Sequence, residues 1–293
     1  MSRSRSLLRG GAWALARLES SLLALHLLVA ACGDEPSQDD AGGSSTEHET
    51  TSAATTSEPT TGEPEPCGRV HDGDLVVWPG PNLASLEDIG LVRGDLRILL
   101  GDDDQRDLSF LKCLHTIDGS LDIRGTTRLE STEGLENLQN VQSILIVDNT
   151  NLRTAIGFDR LRSTVGFTFY GNPAAEAIRF DSLETLVWMR IGFCADTLPA
   201  ANNLALADLA GFAALTTIER LTLEGNEALV TAEILDALAA NGASSPLQIA
   251  TIRHNHFLSE ESVHEALDAL GVKKRDVCGN ADGYPMCVCL IGG

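Results

Sequence analysis

From about residue 92 onward, hydrophobic and polar residues alternate in short bursts that recur at long intervals. Seven triplets read apolar, variable, apolar: Leu96-Arg97-Ile98, Leu121-Asp122-Ile123, Ile144-Leu145-Ile146, Phe167-Thr168-Phe169, Met189-Arg190-Ile191, Leu221-Thr222-Leu223 and Ala250-Thr251-Ile252. Their first residues, at 96, 121, 144, 167, 189, 221 and 250, lie 25, 23, 23, 22, 32 and 29 apart. A period of two marks a strand with one buried face. Recurrence at this spacing marks a solenoid, in which each unit buries its apolar face against the next.

Two further patterns keep the same register. Three residues after the second apolar position stand Asn149, Asn172, Asn226 and Asn255, with Cys194 in that place in the fifth unit. A side-chain amide or thiol turned inward there can satisfy the backbone of a tight turn. Leu129, Leu152, Leu229 and Leu258 follow after three more residues. Upstream of the strands run Leu111-x-x-Leu114-x-x-Ile117, Leu135-x-x-Leu138-x-x-Val141, Phe158-x-x-Leu161, Phe180-x-x-Leu183-x-x-Leu186 and Phe212-x-x-Leu215-x-x-Ile218. Their spacing of three predicts a helical turn or a second coil side packed on the next strand. Gly119, Gly134, Gly157, Gly166, Gly171, Gly211 and Gly225 fall at the corners, where positive φ is expected. Helices are predicted from Thr231 to Ala240, stopped by Asn241-Gly242, and from the Ser259 cap to about Leu270, ended by Gly271.

The strand and Asn pattern is similar to leucine-rich repeats. The short units and their Leu-x-x-Leu-x-x-Val segments resemble the receptor L-domain, the right-handed β-helix-like module of insulin- and EGF-receptor ectodomains. The resemblance covers roughly residues 90–255. It departs from the pattern at Gly101, which replaces the first Asn, and at an insertion within 195–215. The fold expected is therefore a repeat solenoid, right-handed β-helix-like or leucine-rich-repeat-like, with a parallel sheet and short helices in the C-terminal units.

The N-terminal part has a different character. Arg3, Arg5, Arg9 and Arg17 precede a short apolar run from Leu22 to Ala31. Ten residues are too few to span a bilayer, so 1–31 reads as a secretory signal. Leu28-Val29-Ala30-Ala31-Cys32 resembles a bacterial lipobox. That resemblance implies cleavage before Cys32 and acylation of Cys32, anchoring the protein in a membrane. Gly33 follows, with Asp at 34 rather than 33. The resemblance thus implies the bacterial cell envelope, and the outer membrane or cell surface rather than the inner membrane. Residues 33–66 hold twelve Ser or Thr, nine Asp or Glu and four Pro, and no Leu, Ile, Val, Phe, Tyr, Trp, Lys or Arg. With no apolar surface to offset ordering entropy, 32–66 is expected to be a disordered tether with a span of roughly 30–35 Å. The organisation read from the chain is then signal 1–31, acylated Cys and tether 32–66, N-terminal cap 67–91, solenoid 92–257, and a C-terminal helix and Cys-rich cap 258–293.

With Cys32 acylated, six cysteines remain: Cys67, Cys113, Cys194, Cys278, Cys287 and Cys289. An even number in an exported chain reads as three disulfides, with 15 possible connectivities. Position along the chain favours Cys67 with Cys113, closing the N-terminal cap, and one local bridge among Cys278, Cys287 and Cys289.

Charge and motifs narrow the function. There are 42 acidic residues against 21 Lys and Arg, for a net charge of −21. Such a chain repels phosphates, so nucleic acid is not an expected partner. No G-x-S-x-G, H-E-x-x-H, phosphate-loop or dinucleotide motif occurs. His254-Asn255-His256, His71-Asp72-Gly73-Asp74 and Asp102-Asp103-Asp104 lack the spacing of a zinc or EF-hand site. They read as turn residues and solvated loops, so no metal and no cofactor is expected.

What remains is a non-enzymatic recognition module for a protein or glycan ligand. A structural envelope spacer or adhesin, and a hydrolase on the same scaffold, are the rival classes. The candidate binding face comprises the residues between and just after the strand anchors: Arg97, Asp122, Arg124, Leu145, Val147, Thr168, Tyr170, Arg190, Glu224 and Arg253. An apolar centre of Leu145, Val147 and Tyr170 ringed by Arg has the composition of an interface hot spot. The bland alternative is a second small core at 145, 147 and 170, covered by a loop.

Overall fold

A computed structural model describes residues 67–193, 202–242 and 247–281. In chain order it forms β1 (Arg69–Asp72), β2 (Leu75–Val77), β3 (Ile89–Arg93), β4 (Leu96–Ile98), β5 (Thr116–Ile117), β6 (Ser120–Arg124), β7 (Ser143–Val147), β8 (Thr154–Ala155), β9 (Ser163–Tyr170), β10 (Ala177–Arg179), β11 (Thr185–Gly192), β12 (Asp208–Gly211), β13 (Arg220–Glu224), α1 (Glu233–Ala240), β14 (Ile249–Arg253), α2 (Glu260–Ala269) and β15 (Lys274–Cys278). The stretches expected to be signal and tether, with Cys32, lie outside the described residues, as do Cys194, Cys287 and Cys289.

The architecture is a parallel solenoid. One nine-stranded sheet runs β2-β4-β6-β7-β9-β11-β13-β14-β15, and two three-stranded sheets, β1-β3-β5 and β8-β10-β12, form further sides of the coil. The seven triplets pair in register, Leu96 with Leu121, Leu121 with Ile144, Ile144 with Phe167, and onward to Leu221 with Ala250. Both anchors of every triplet are buried, because burying one face fixes which residues point inward. The sheet gains one strand beyond the triplets at each end, β2 and β15. An end strand is buried by a neighbour on one side only, so Arg275 can stand in register with the buried anchor Ala250.

The segments with spacing three supply the opposite wall of the core. Phe158, Phe180 and Phe212 stack from coil to coil, with ring centroids 4.4 and 5.5 Å apart and planes within 8° and 13°. Phe167 of the main sheet meets Phe180 edge-on at 4.9 Å. α1 and α2 belong to the last two coils, and the Ser259 hydroxyl caps α2 by accepting from the Ser262 amide.

A continuous asparagine ladder runs up one corner. Asn149, Asn172, Asn203, Asn226, Asn255 and Asn280 are all buried. The Asn149 Oδ1 accepts from the Thr126 amide and hydroxyl. The Oδ1 atoms of Asn172, Asn203, Asn255 and Asn280 each accept from the backbone amide of the ladder residue one coil below. In the fifth coil Asn203 takes this place, not Cys194. Cys194, three residues after Ile191, lies outside the described residues, and Asn203 holds the rung between Asn172 and Asn226. The residue before the ladder position takes left-handed backbone at Gly125, Asp148, Gly171, Gly225, His254 and Gly279, with φ between 54° and 69°. Gly134, Gly157, Gly171 and Gly225 have the expected positive φ, whereas Gly119, Gly166 and Gly211 do not. At Gly211 the reason is close approach: a β-carbon would collide with the Ile178 carbonyl.

Cys67 and Cys113 form a disulfide, with Cα atoms 4.7 Å apart, at the N-terminal end of the stack. Cys278 is disulfide-bonded as well.

Candidate functional site

The nine-stranded sheet turns one face inward and one outward, and strand pairing sorts the outward residues into columns. The first runs Val76, Arg97, Asp122, Leu145, Thr168, Arg190, Thr222, Thr251 and Asp276. The second aligns Arg124, Val147 and Tyr170, then Gly192, Glu224 and Arg253. The predicted face is therefore one surface, but its members differ in exposure. Arg97, Arg124 and Arg190 are exposed, and Asp122, Leu145, Tyr170 and Arg253 are half-buried. Val147, Thr168 and Glu224 are buried, at 5%, 9% and 7% exposure. Val147 lies in register between Arg124 and Tyr170, whose longer side chains flank it.

Ion pairs account for three of the four arginines. Arg124 donates to Asp122 through Nε at 2.7 Å, Arg97 lies 3.6 Å from Asp95, and Arg253 pairs with Asp276. Its hydrogen bond to the Asp122 carboxylate raises the Arg124 guanidinium above its ordinary pKa. Arg190 is exposed and pairs with no acid among the described residues.

The sequence reading missed two aromatics of this face. Trp188 stands one residue before the fifth triplet, on the same outward parity as Arg190, and its half-buried ring lies over Gly166 in the neighbouring strand. Any β-carbon at 166 would occupy the space of the indole, which is why that position is glycine. Extending each triplet one residue toward the N-terminus would have placed Trp188 on the face. Phe193 follows β11 and packs on Tyr170, with ring centroids 5.7 Å apart. Tyr170 is therefore partly covered. Leu145, Tyr170, Trp188 and Phe193 gather on and beside three adjacent strands, each about 4.8 Å from the next.

Residues 90–188 match the family model of the receptor L domain. The match spans 99 of the chain's 293 residues. It includes the face from Arg97 to Tyr170 and reaches Trp188, stopping short of Arg190, Glu224 and Arg253. The resemblance read from the repeat thus holds for the receptor L domain over that stretch. No curated protein matches the chain.

The loops considered for metals have other partners. Asp72 pairs with Arg93, the Asp74 carboxylate accepts from the Asp95 amide, and Asp104 pairs with Arg128. Asp103 accepts from the amides of Gly80 and Gln105. Asn255 is a rung of the ladder, between His254 and His256. Among the described residues no three His, Cys, Asp or Glu side chains come together as metal ligands. Among the same residues no helix is long and apolar enough to cross a membrane.

Proposed function

We propose that the protein is an exported, lipid-anchored, non-enzymatic recognition module that binds a protein ligand on the outward face of its main sheet. The observation that carries this reading is the cluster of Leu145, Tyr170, Trp188 and Phe193 beside the exposed Arg190 and the Asp122–Arg124 pair. Large aromatics, together with an arginine free to pair, are what protein interfaces concentrate at their centre. The receptor L-domain match over this stretch supports the same reading. Anchoring at Cys32, through a tether of roughly 30–35 Å, would display the face away from a membrane.

The test places a photo-crosslinking residue at position 190, and at Glu261 on α2 as a control, in the protein in its native envelope. A partner joined from 190 and not from 261, and lost on Tyr170→Ala or Trp188→Ala with melting nearly unchanged, is the expected result. Variants that melt far below wild type yet retain the same partner would show the cluster to be a second small core, with the function elsewhere.

A further inference from the structure

A second surface lies just before the strands of the main sheet, where each coil turns into them. Five coils each present two outward residues there, separated by one buried residue: Ile117, Val141, Thr164, Leu186 and Ile218. The first outward row is Thr116, Asn140, Ser163, Thr185 and Thr217, every one a neutral hydroxyl or amide. Thr116 pairs in register with Asn140, Ser163 with Thr185, and Thr185 with Thr217. Within the row, the Asn140 amide donates to the Thr116 hydroxyl at 3.3 Å and the Thr185 hydroxyl to that of Ser163 at 2.8 Å. The second row is Asp118, Gln142, Val165, Val187 and Glu219. Val165 and Val187, at its centre, are 48% and 39% exposed. An open groove of about 460 Å3 runs along these rows, lined by all of their residues except Thr116.

We propose that this groove is a second binding site, for a linear, uncharged glycan lying along the solenoid axis. Three features select that ligand. The polar side chains recur once per coil, at a step of about 4.8 Å, so a polymer with a similar repeat meets the same hydroxyl or amide at each ring. Four such steps give a groove of roughly 19 Å, long enough for about four pyranose rings. The two exposed valines offer an apolar floor for the C–H face of flat, extended rings. Asp118 and Glu219, at the two ends of the row, and the net charge of −21 repel a polyanionic polysaccharide. An added peptide strand is disfavoured because the groove's backbone is already spent between coils: the amides of Ile117, Val165, Leu186 and Glu219 donate to Asn140, Gln142, Thr217 and Val187. Apart from the carboxylates of Asp118 and Glu219 at its ends, the groove reads a ligand with side-chain hydroxyls and amides, which match sugar hydroxyls as both donors and acceptors.

The purified full-length protein is titrated calorimetrically with cello-, chito-, xylo- and mannohexaose, with polygalacturonate and octalysine as charged probes. Binding of at least one neutral hexasaccharide is expected, strengthening from disaccharide to about tetrasaccharide and then levelling off. Ser163→Arg and Val187→Arg, both at exposed positions, are expected to weaken it at least tenfold with the melting temperature unchanged. Tyr170→Ala, on the other surface, is expected to leave it intact. The proposal fails if no neutral hexasaccharide binds at millimolar concentration, or if both Arg variants bind as wild type. It fails equally if polygalacturonate or octalysine binds in the groove more tightly than every neutral chain.

Discussion

Removing one rung of the asparagine ladder tests how this solenoid holds its corner together. Asn172 is fully buried, and its Oδ1 accepts from the amide of Asn149 at 3.0 Å and from the Asn149 side chain at 3.1 Å. Its Nδ2 donates to the carbonyls of Ile146 and Tyr170 at 2.9 and 3.0 Å. Asn172→Ala leaves two buried N–H donors without an acceptor, at about 1–3 kcal/mol each. The two carbonyls each lose one donor, a smaller cost because a carbonyl has a second lone pair. Relaxation and water entry recover part of the loss, so the expected destabilisation is about 2–4 kcal/mol, a fall in melting temperature of roughly 4–16 °C for a domain of this size. The assay is urea unfolding of the oxidised protein, with Asn151→Ala as a control in the same corner. Asn151 is exposed and bonds only the Thr127 carbonyl, so its loss is expected to cost under about 0.5 kcal/mol. Equal midpoints for the two variants would refute the claim that buried amide bonding, rather than apolar packing alone, secures the turns.

Three further outcomes follow from the same structure. Replacing Cys67 and Cys113 by Ser opens a loop with a sequence separation of 46 residues, for an expected loss of about 4 kcal/mol by loop-closure entropy; an unchanged urea midpoint would contradict it. Gly171→Ala puts a β-carbon on left-handed backbone and against the Asp148 carboxylate, and is expected to cost at least about 1–2 kcal/mol, read by thermal melting; a melt like wild type would show the corner to be plastic. Cys32→Ser is expected to abolish labelling by an alkyne fatty acid and partition into detergent; label persisting on the Ser variant would disprove the anchor.

Much of the scaffold is legible in residue order because it rests on local periodicity. The apolar-x-apolar triplets can bury both anchors only as strands, and their recurrence once per coil brings equivalent positions into register, so the seven inner strands and their pairing follow from Leu96 to Ile252. The buried asparagines at 149, 172, 226 and 255 follow the same count, as do the two helices with their Ser259 cap and glycine stops. Asn203 escapes that count because an insertion separates it from its strand, and only the stacking of coils places it between Asn172, whose amide it accepts from, and Asn226, to which it donates. β15 escapes it because a terminal strand needs no second buried side, so Arg275 can stand opposite the anchor Ala250; β2 carries apolar Leu75 and Val77 opposite Leu96 and Ile98, but within the stretch read as the N-terminal cap.

The surfaces depend on what the third dimension brings together. Alternation indicates that Arg97, Leu145 and Arg190 point outward, but it cannot say that Val147 and Glu224 are buried or that Phe193 lies on Tyr170. Trp188 joins the face because Gly166, 22 positions earlier, leaves room for its ring. The row of Thr116, Asn140, Ser163, Thr185 and Thr217 is invisible along the chain, where each is one polar residue next to another. Stacking the coils aligns them. Periodicity along the chain determines which side of a strand a residue takes, whereas exposure and neighbourhood depend on contacts between coils 22 to 32 residues apart, which no local pattern encodes.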